Sequence, residues 1–261
     1  MIGTVRELWQ YPVKSLQGER ARSVELDATG PVGDRAWGVL DVATGELLSA
    51  KRTGALLEAV VTGETVTLPT GAHHPLGSTA LDEALTAWLG RDVRLVHVRD
   101  EASLPQSMHL DNEDLTSLVV RWRSPRGRYV DLFPLHFLTT STLQAAAAAH
   151  PELDWDVRRF RPNLVLDTDA HERDLLGATL RIGTAVVRVP EQLTERCVMT
   201  TRAQDVNGLG AQRSLLRTLA RDAGNADAAL TAGSGTTPFG AYLEVVGAGL
   251  VTEGDTVERV S

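Results

Sequence analysis

Residues 23–68 read SVELDATGPVGDRAWGVLDVATGELLSAKRTGALLEAVVTGETVTL, and the spacing inside this stretch decides the fold class. Runs rich in β-formers recur at Ser23–Leu26, Ala36–Leu40, Glu46–Ser49, Leu56–Val61 and Thr65–Leu68. Turn signals divide them: Thr29-Gly30-Pro31, Thr44-Gly45 and, just beyond, Pro69-Thr70-Gly71. Glycine accepts the positive φ of a tight turn and proline pre-sets φ, so such clusters end strands. Several short strands at close spacing predict a barrel or a sandwich.

The flanks extend the pattern. Val5 to Val13 reads as a strand, with Pro12 at an edge or end because proline has no N–H for a ladder. Lys14 to Glu19 reads as a turn. Leu81, Ala84, Leu85, Trp88 and Leu89 share one face of a 3.6-residue period and predict a helix. Thr79 with Asp82 resembles a capping box for it, and Gly90 is placed to end it. Val93 to Val98 is a further strand. Arg99 to Thr116 holds Asp100, Glu101, Asp111, Glu113 and Asp114 with little periodicity, and reads as a connection between two units. Arg128 to Leu132, Leu164 to Leu166, Thr179 to Val189, Tyr242 to Val246 and Val257 to Val260 read as strands. Ser141 is an N-cap candidate for a helix from Leu143 to His150, closed by Pro151. Arg213 to Ala223 is a helix by its apolar face, and Asn225 to Pro238 is a Gly-, Ala- and Thr-rich loop. Strands outnumber helices and do not alternate with them, which argues against a doubly wound parallel sheet. The expectation is a mainly β fold with a few helices (α+β). A β-barrel-like unit spans residues 1–100, a connection 99–116, and a second β unit 115–261.

Composition excludes several functions. Hydrophobic residues are 43% and charged residues 23%, an ordinary globular balance. With 26 Lys and Arg against 34 Asp and Glu the formal charge is −8, and no basic stripe invites nucleic acid. No apolar run approaches the ~20 residues of a membrane helix. Met1 to Glu7 has no apolar core or cleavage site, so no signal peptide is expected. The single cysteine fits a reducing cytoplasm, the expected location. One cysteine also excludes an all-Cys iron–sulfur cluster or a Cys-rich zinc site within this chain.

That cysteine, Cys197, stands in Thr194-Glu195-Arg196-Cys197-Val198-Met199-Thr200-Thr201. It is either a buried filler or a thiolate kept for chemistry beside the Arg196 cation. A cationic set is spread along the chain: Lys14 with Ser15, Arg35, and Arg158, Arg159 and Arg161. Such groups bind phosphate, Arg through its planar fork and Lys as a point charge, or they are ordinary surface charges. Ser15 and Ser141 add hydroxyls, and the helix after Ser141 offers backbone N–H groups. Spacing does not show that these converge. His73-His74 has no third ligand nearby and reads as a turn; His136, in an apolar run, reads as a packed histidine. Asp111, Glu113 and Asp114 lack the glycine and terminal Glu of an EF-hand and read as a solvated loop. Gly208-Leu209-Gly210 is no dinucleotide fingerprint, and neither a nucleophile elbow nor a Walker loop is present.

Taken together, the motifs resemble a known family. Tyr11-Pro12-Val13-Lys14-Ser15 with Gly18, then Gly33-Asp34-Arg35-Ala36-Trp37 and Asp41, resemble the N-terminal β-barrel region that precedes MOSC domains. Leu138-Thr139-Thr140-Ser141-Thr142-Leu143, Arg159-Phe160-Arg161-Pro162-Asn163, Gly183, Arg196-Cys197-Val198-Met199-Thr200-Thr201 and Gly254-Asp255 resemble the MOSC domain itself. The match runs from Tyr11 to Asp255, in order. The resemblance implies a two-part, mostly β fold and a bound molybdenum cofactor, a pterin dithiolene carrying a phosphate. In amidoxime-reducing members of the family the equivalent cysteine ligates molybdenum, and N-hydroxylated compounds are reduced. Carried over, Cys197 is the catalytic metal ligand. Lys14, Ser15, Arg35, Ser141, Arg161 and Asn163, with Thr140, hold the pterin and its phosphate.

The run Arg202-Ala203-Gln204-Asp205-Val206-Asn207-Gly208 departs from the acidic segment common in the family. No ferredoxin domain follows, so electrons are expected from a separate flavoprotein, ferredoxin or cytochrome. The resulting expectation is a molybdenum-dependent oxidoreductase acting on a small N–O substrate. Its alternatives are a sulfur carrier using a Cys197 persulfide and a non-catalytic cofactor-binding protein.

Overall fold

The first strand, β1 (Gly3–Gln10), buries Val5 and Leu8, three residues apart, although strand side chains alternate. A β-bulge between Val5 and Glu7 inserts the extra residue and restores both to one face. The computed structural model describes residues 1–101, 103–109, 119–125, 127–225 and 237–260. Among them, β1 joins β2 (Leu135–Thr139), β3 (Leu164–Asp167), β4 (Thr179–Ile182), β5 (Ala185–Arg188), β6 (Pro238–Gly247) and β7 (Thr256–Val260). The hydrogen-bonded order β2-β3-β1-β7-β4-β5-β6 returns to β2, closing a seven-stranded barrel. An odd ring cannot be antiparallel throughout. The parallel pair is β2–β3, whose crossover carries helices Thr140–Ala149 and Val157–Phe160. Closure removes the exposed edges an open sheet would present.

Inside the barrel pack Val5, Leu8, Phe137, Leu166, Leu180 and Val257, all nearly inaccessible. A second core belongs to the N-terminal part: Val13, Leu16, Val39, Leu56, Leu81 and Leu85. Each such side chain contributes roughly 1.5–3 kcal/mol by leaving water. Three small sheets lie outside the barrel ring, and the one holding Ser23–Asp27 and Gly249–Thr252 adds Val24, Leu26 and Val251 to the barrel core. One orders Val93–His97, Trp37–Asp41, Glu46–Leu47, Pro105–His109 and Val119–Arg123. The others are Gly249–Thr252, Ser23–Asp27 and Gly30–Pro31, and Val60–Thr62, Thr65–Thr67 and His73–Pro75. The mainly β expectation is borne out. No helix among the described residues is long and apolar enough to cross a membrane.

Local readings changed where side chains override propensity. Leu56 to Val61 is not one strand: Gly54–Glu58 is a 3₁₀ turn that buries the adjacent Leu56 and Leu57, and the strand begins at Val60. Arg128 to Leu132 is irregular, because the Arg128 guanidinium holds the carbonyls of Thr29 (2.6 Å) and Asp34 (3.0 Å) in place of a ladder. Thr179 to Val189 folds back at Gly183, whose φ of 59° makes the turn between β4 and β5. Helix Thr79–Leu89 is capped by Ser78, not Thr79; Asp82 instead accepts the Leu95 N–H at 2.7 Å and ties helix to strand. Gly90 ends that helix in the left-handed conformation, as read. Helix Thr140–Ala149 is capped by Thr139, not Ser141. The C-terminal helix runs Leu215–Asn225. His73-His74 lies in a short exposed strand rather than a turn. Within the supposed connection, Pro105–His109 is a strand paired with Val119–Arg123. Asp111, Glu113 and Asp114 lie outside the described residues, as does most of Asn225 to Pro238.

Candidate functional site

Two turns of the N-terminal part are locked to each other. The Arg35 N–H bonds the Tyr11 carbonyl (2.8 Å), Trp37 N–H the Pro12 carbonyl (3.0 Å), and Lys14 N–H the Trp37 carbonyl (2.8 Å). The buried Asp34 carboxylate completes the lock by accepting the Tyr11 N–H at 2.8 Å. This pairing delivers Lys14, Ser15 and Arg35 to one cleft. The crossover between β2 and β3 delivers Arg161 and Asn163, and the segment after the strand Leu193–Glu195 delivers Arg196 and Cys197. The cleft has a volume of about 140 Å³.

Backbone strain concentrates here. Among the described residues three non-glycine positions have positive φ: Ser15 (69°), Arg35 (47°) and Arg161 (53°). All three line the cleft. Left-handed backbone costs a side chain-bearing residue on the order of 1–3 kcal/mol and persists where surrounding structure enforces it, commonly at functional sites.

The cleft is cationic, and part of its charge lacks a counter-charge. Arg35 donates from Nη1 to Asp34 Oδ2 (2.6 Å) and Asn163 Oδ1 (3.1 Å), and from Nη2 to the Arg161 carbonyl (3.2 Å). Arg35 and Arg161 both lie over the Tyr11 ring. Arg161 is buried, its Nη1 has no partner, and no described carboxylate pairs with it. Burial, then the neighbouring Arg35, push its pKa down to about 10. Arg159 and Arg196 each keep a buried Nε without a partner. His136 is buried with neither ring nitrogen in a well-formed hydrogen bond. Burial, followed by Arg196 and Arg35, holds it well below the ordinary histidine range, while the Phe239 and Arg161 carbonyls pull weakly the other way.

Opposite these, Asp131 sits between two lysines, at 2.8 Å from Lys14 Nζ and 2.6 Å from Lys51 Nζ. Burial would raise its pKa, but the two ammonium groups outweigh it and hold the carboxyl well below the usual range. Burial pushes Lys14 down. Burial also acts to lower Lys51, but Asp131 foremost outweighs it and Lys51 is raised. Cys197 is half-buried and lines the cleft. Lys51, Arg196 and Arg202 all lie within electrostatic reach of it. An apolar wall completes the site, where Phe133 stacks on Tyr242 with ring centres 4.9 Å apart.

The residues singled out from sequence fare unequally. Lys14, Ser15, Arg35, Arg161, Asn163 and Cys197 converge on the cleft. The Asn163 side chain is committed to the protein itself, joining Arg35 to the Trp9 carbonyl (3.3 Å), and the Ser15 hydroxyl accepts the Ala50 N–H (3.0 Å). Thr140 and Ser141 do not line the cleft. Thr140 Oγ1 donates to Asp167 (3.1 Å) and Ser141 Oγ to the Ala170 carbonyl (2.6 Å), which fastens helix Thr140–Ala149 to the end of β3 and the segment after it. Sequence reasoning missed Asp131, Lys51, Tyr242 and the ring of Tyr11. A lone acid in the apolar run Tyr129-Val130-Asp131-Leu132-Phe133 was the available signal for Asp131. Among the described residues no group of three His, Cys, Asp or Glu could hold a metal ion.

Comparison with known proteins places the chain in a family. Residues 125–258 match the model of the MOSC domain and residues 2–78 that of the MOSC N-terminal beta barrel domain, and the chain belongs to the MOSC family. Human mitochondrial amidoxime-reducing component 1 is 26% identical over 295 residues, an alignment covering 98% of this chain and 82% of that one. Among solved structures, the YUAD protein of Bacillus subtilis covers 98% of this chain and 94% of its own, with 10% identity and a TM-score of 0.43. YiiM of Escherichia coli covers 49% of this chain and 54% of its own, with 20% identity and a TM-score of 0.35.

Proposed function

We propose that this protein is a molybdenum-cofactor-dependent oxidoreductase that reduces N-hydroxylated compounds, with Cys197 as the protein's ligand to the metal. The observation that carries this reading is Arg161: a buried guanidinium with a partnerless Nη1 and, among the described residues, no paired carboxylate, beside Arg35, on a strained backbone. An uncompensated buried cation is costly unless an anion fills the site. The donor set around it suits a phosphate-bearing pterin: Arg161 Nη1 and Arg196 Nε are free, and Lys14 stands across the cleft. A single thiolate cannot hold a metal ion alone, so the metal would arrive with its other ligands on the cofactor. The similarity to the amidoxime-reducing component supports the choice of N–O substrates.

The cofactor supplies the two-electron chemistry. The net reaction takes R–NH–OH, two electrons and two protons to R–NH₂ and water, so one N–O bond breaks and an N–H bond forms. The chain's own part is to bind and orient. Arg35 and Arg161 hold the phosphate, with Tyr11 as the shared surface that keeps both guanidinium groups in place. Asn163 and Asp34 fix the direction of Arg35. Lys51, Arg196 and Arg202 set positive charge around Cys197. Phe133 and Tyr242 form the dry wall against which an organic substrate rests. The Thr140 and Ser141 hydroxyls, engaged elsewhere, are left out of this set.

The test is turnover of an amidoxime by protein purified from a cofactor-competent host, with reduced viologen as electron source. The reading predicts amidine formation that is lost in Cys197→Ala. Equal turnover by the variant would sink it.

A further inference from the structure

We propose that the groove behind Cys197 is the docking surface for an acidic one-electron carrier protein. The inference rests on the reductase reading, which requires two electrons from outside for each N–O bond broken, hence two reduced carriers per turnover.

The groove has a volume of about 840 Å³ and is separate from the cofactor cleft. Its floor includes Val198, Thr201 and Arg202, which belong to the segment that begins at Cys197. A carrier seated there stands one residue from the metal ligand, without entering the cleft where substrate must come and go. The groove's charge departs from that of the chain. The protein is acidic overall, at −8, yet Arg202 and Arg213 are among the residues that line this groove. Arg213 is exposed, and no described carboxylate pairs with it. Arg202 gives Nη2 to the Lys51 carbonyl (2.7 Å), a neutral acceptor, and its buried Nε has no partner. Glu58 also lines the groove, but its two oxygens accept the backbone N–H groups of Asp205 (3.1 Å) and Val206 (3.0 Å). Those bonds direct the carboxylate to the adjacent turn, but its negative charge remains, so the groove's arginines outnumber it rather than stand unopposed. An acidic partner is repelled by most of this surface and drawn to the groove, so the field selects orientation as well as encounter rate.

The probe is a plant-type [2Fe–2S] ferredoxin. Titration of the oxidised ferredoxin into metal-free protein should show binding at low salt that weakens as salt rises. Arg213→Glu should weaken that binding by roughly tenfold, and Arg213→Lys should retain it. In the loaded enzyme, Arg213→Glu should raise the KM for reduced ferredoxin by a similar factor. Turnover driven by reduced viologen, which needs no docking, should stay as in the wild type. Equal ferredoxin affinity for wild type and Arg213→Glu, or no binding by the wild type at low salt, overturns the proposal. Ferredoxin binding that responds to Arg213 in a protein without viologen-driven turnover would instead overturn the reductase reading and leave the docking surface standing.

Discussion

Arg35 and Arg161 press their guanidinium groups against one ring, that of Tyr11, at 4.4 and 4.2 Å from its centre. Only Arg35 has a carboxylate, Asp34, at 2.6 Å. Two like charges held this close in a buried cleft suit an anion, which on the proposed function is the cofactor phosphate. Arg161→Met should therefore separate stability from binding. It removes an unpaired buried charge and keeps an apolar stem over Tyr11, so the metal-free protein should be unchanged or more stable by about 1 kcal/mol. That corresponds to a rise of roughly 2–4 °C in Tm for a chain of this size. Cofactor retention, read by pterin fluorescence after oxidation, should fall to background.

Tyr11 is fully buried and its hydroxyl has no partner, while burial pushes its pKa up. Removing an unsatisfied buried hydroxyl relieves a desolvation cost of about 1–3 kcal/mol. Tyr11→Phe should then match or exceed the wild type in denaturant stability and still bind cofactor, because the ring face is preserved. Tyr11→Ala should lose about 3–5 kcal/mol and the cofactor with it.

Asp131 gives a pH signature. Its folded pKa is depressed by Lys14 and Lys51, so it stabilises the fold above the ordinary carboxylate pKa of ~3.9. That contribution fades as pH falls below this value toward the folded pKa. Asp131→Asn should flatten the acid limb of the stability–pH curve below pH ~4. Near neutrality it should cost about 1–2 kcal/mol, less than a fully buried pair because the Asp131 side chain is 36% exposed. Chemical denaturation across the acid range measures both.

What the sequence made legible follows from the range of the interactions involved. The strand-and-turn rhythm of residues 23–68 is local, and it pointed correctly to a β fold. Ser15, Arg35, Arg161 and Cys197 were found through motifs. Their convergence depends on long-range pairings such as Val13 with Trp37 and β1 with β3, which no spacing reveals. Asp131 and Lys51 were missed because solitary charges carry no period. Their meaning lies in meeting each other at 2.6 Å across 80 residues of chain. Thr140 and Ser141 lie off the cleft, since hydroxyls at a helix start are as readily spent on local ties as on a ligand.

The central claim is that Cys197 holds molybdenum through a cofactor seated on Arg35 and Arg161. Elemental analysis of protein purified from a cofactor-competent host tests it most directly, run in parallel on wild type and Cys197→Ala. The account predicts near-stoichiometric molybdenum in the wild type and its loss from the variant. Metal-free wild-type protein, or equal molybdenum in both, would contradict it.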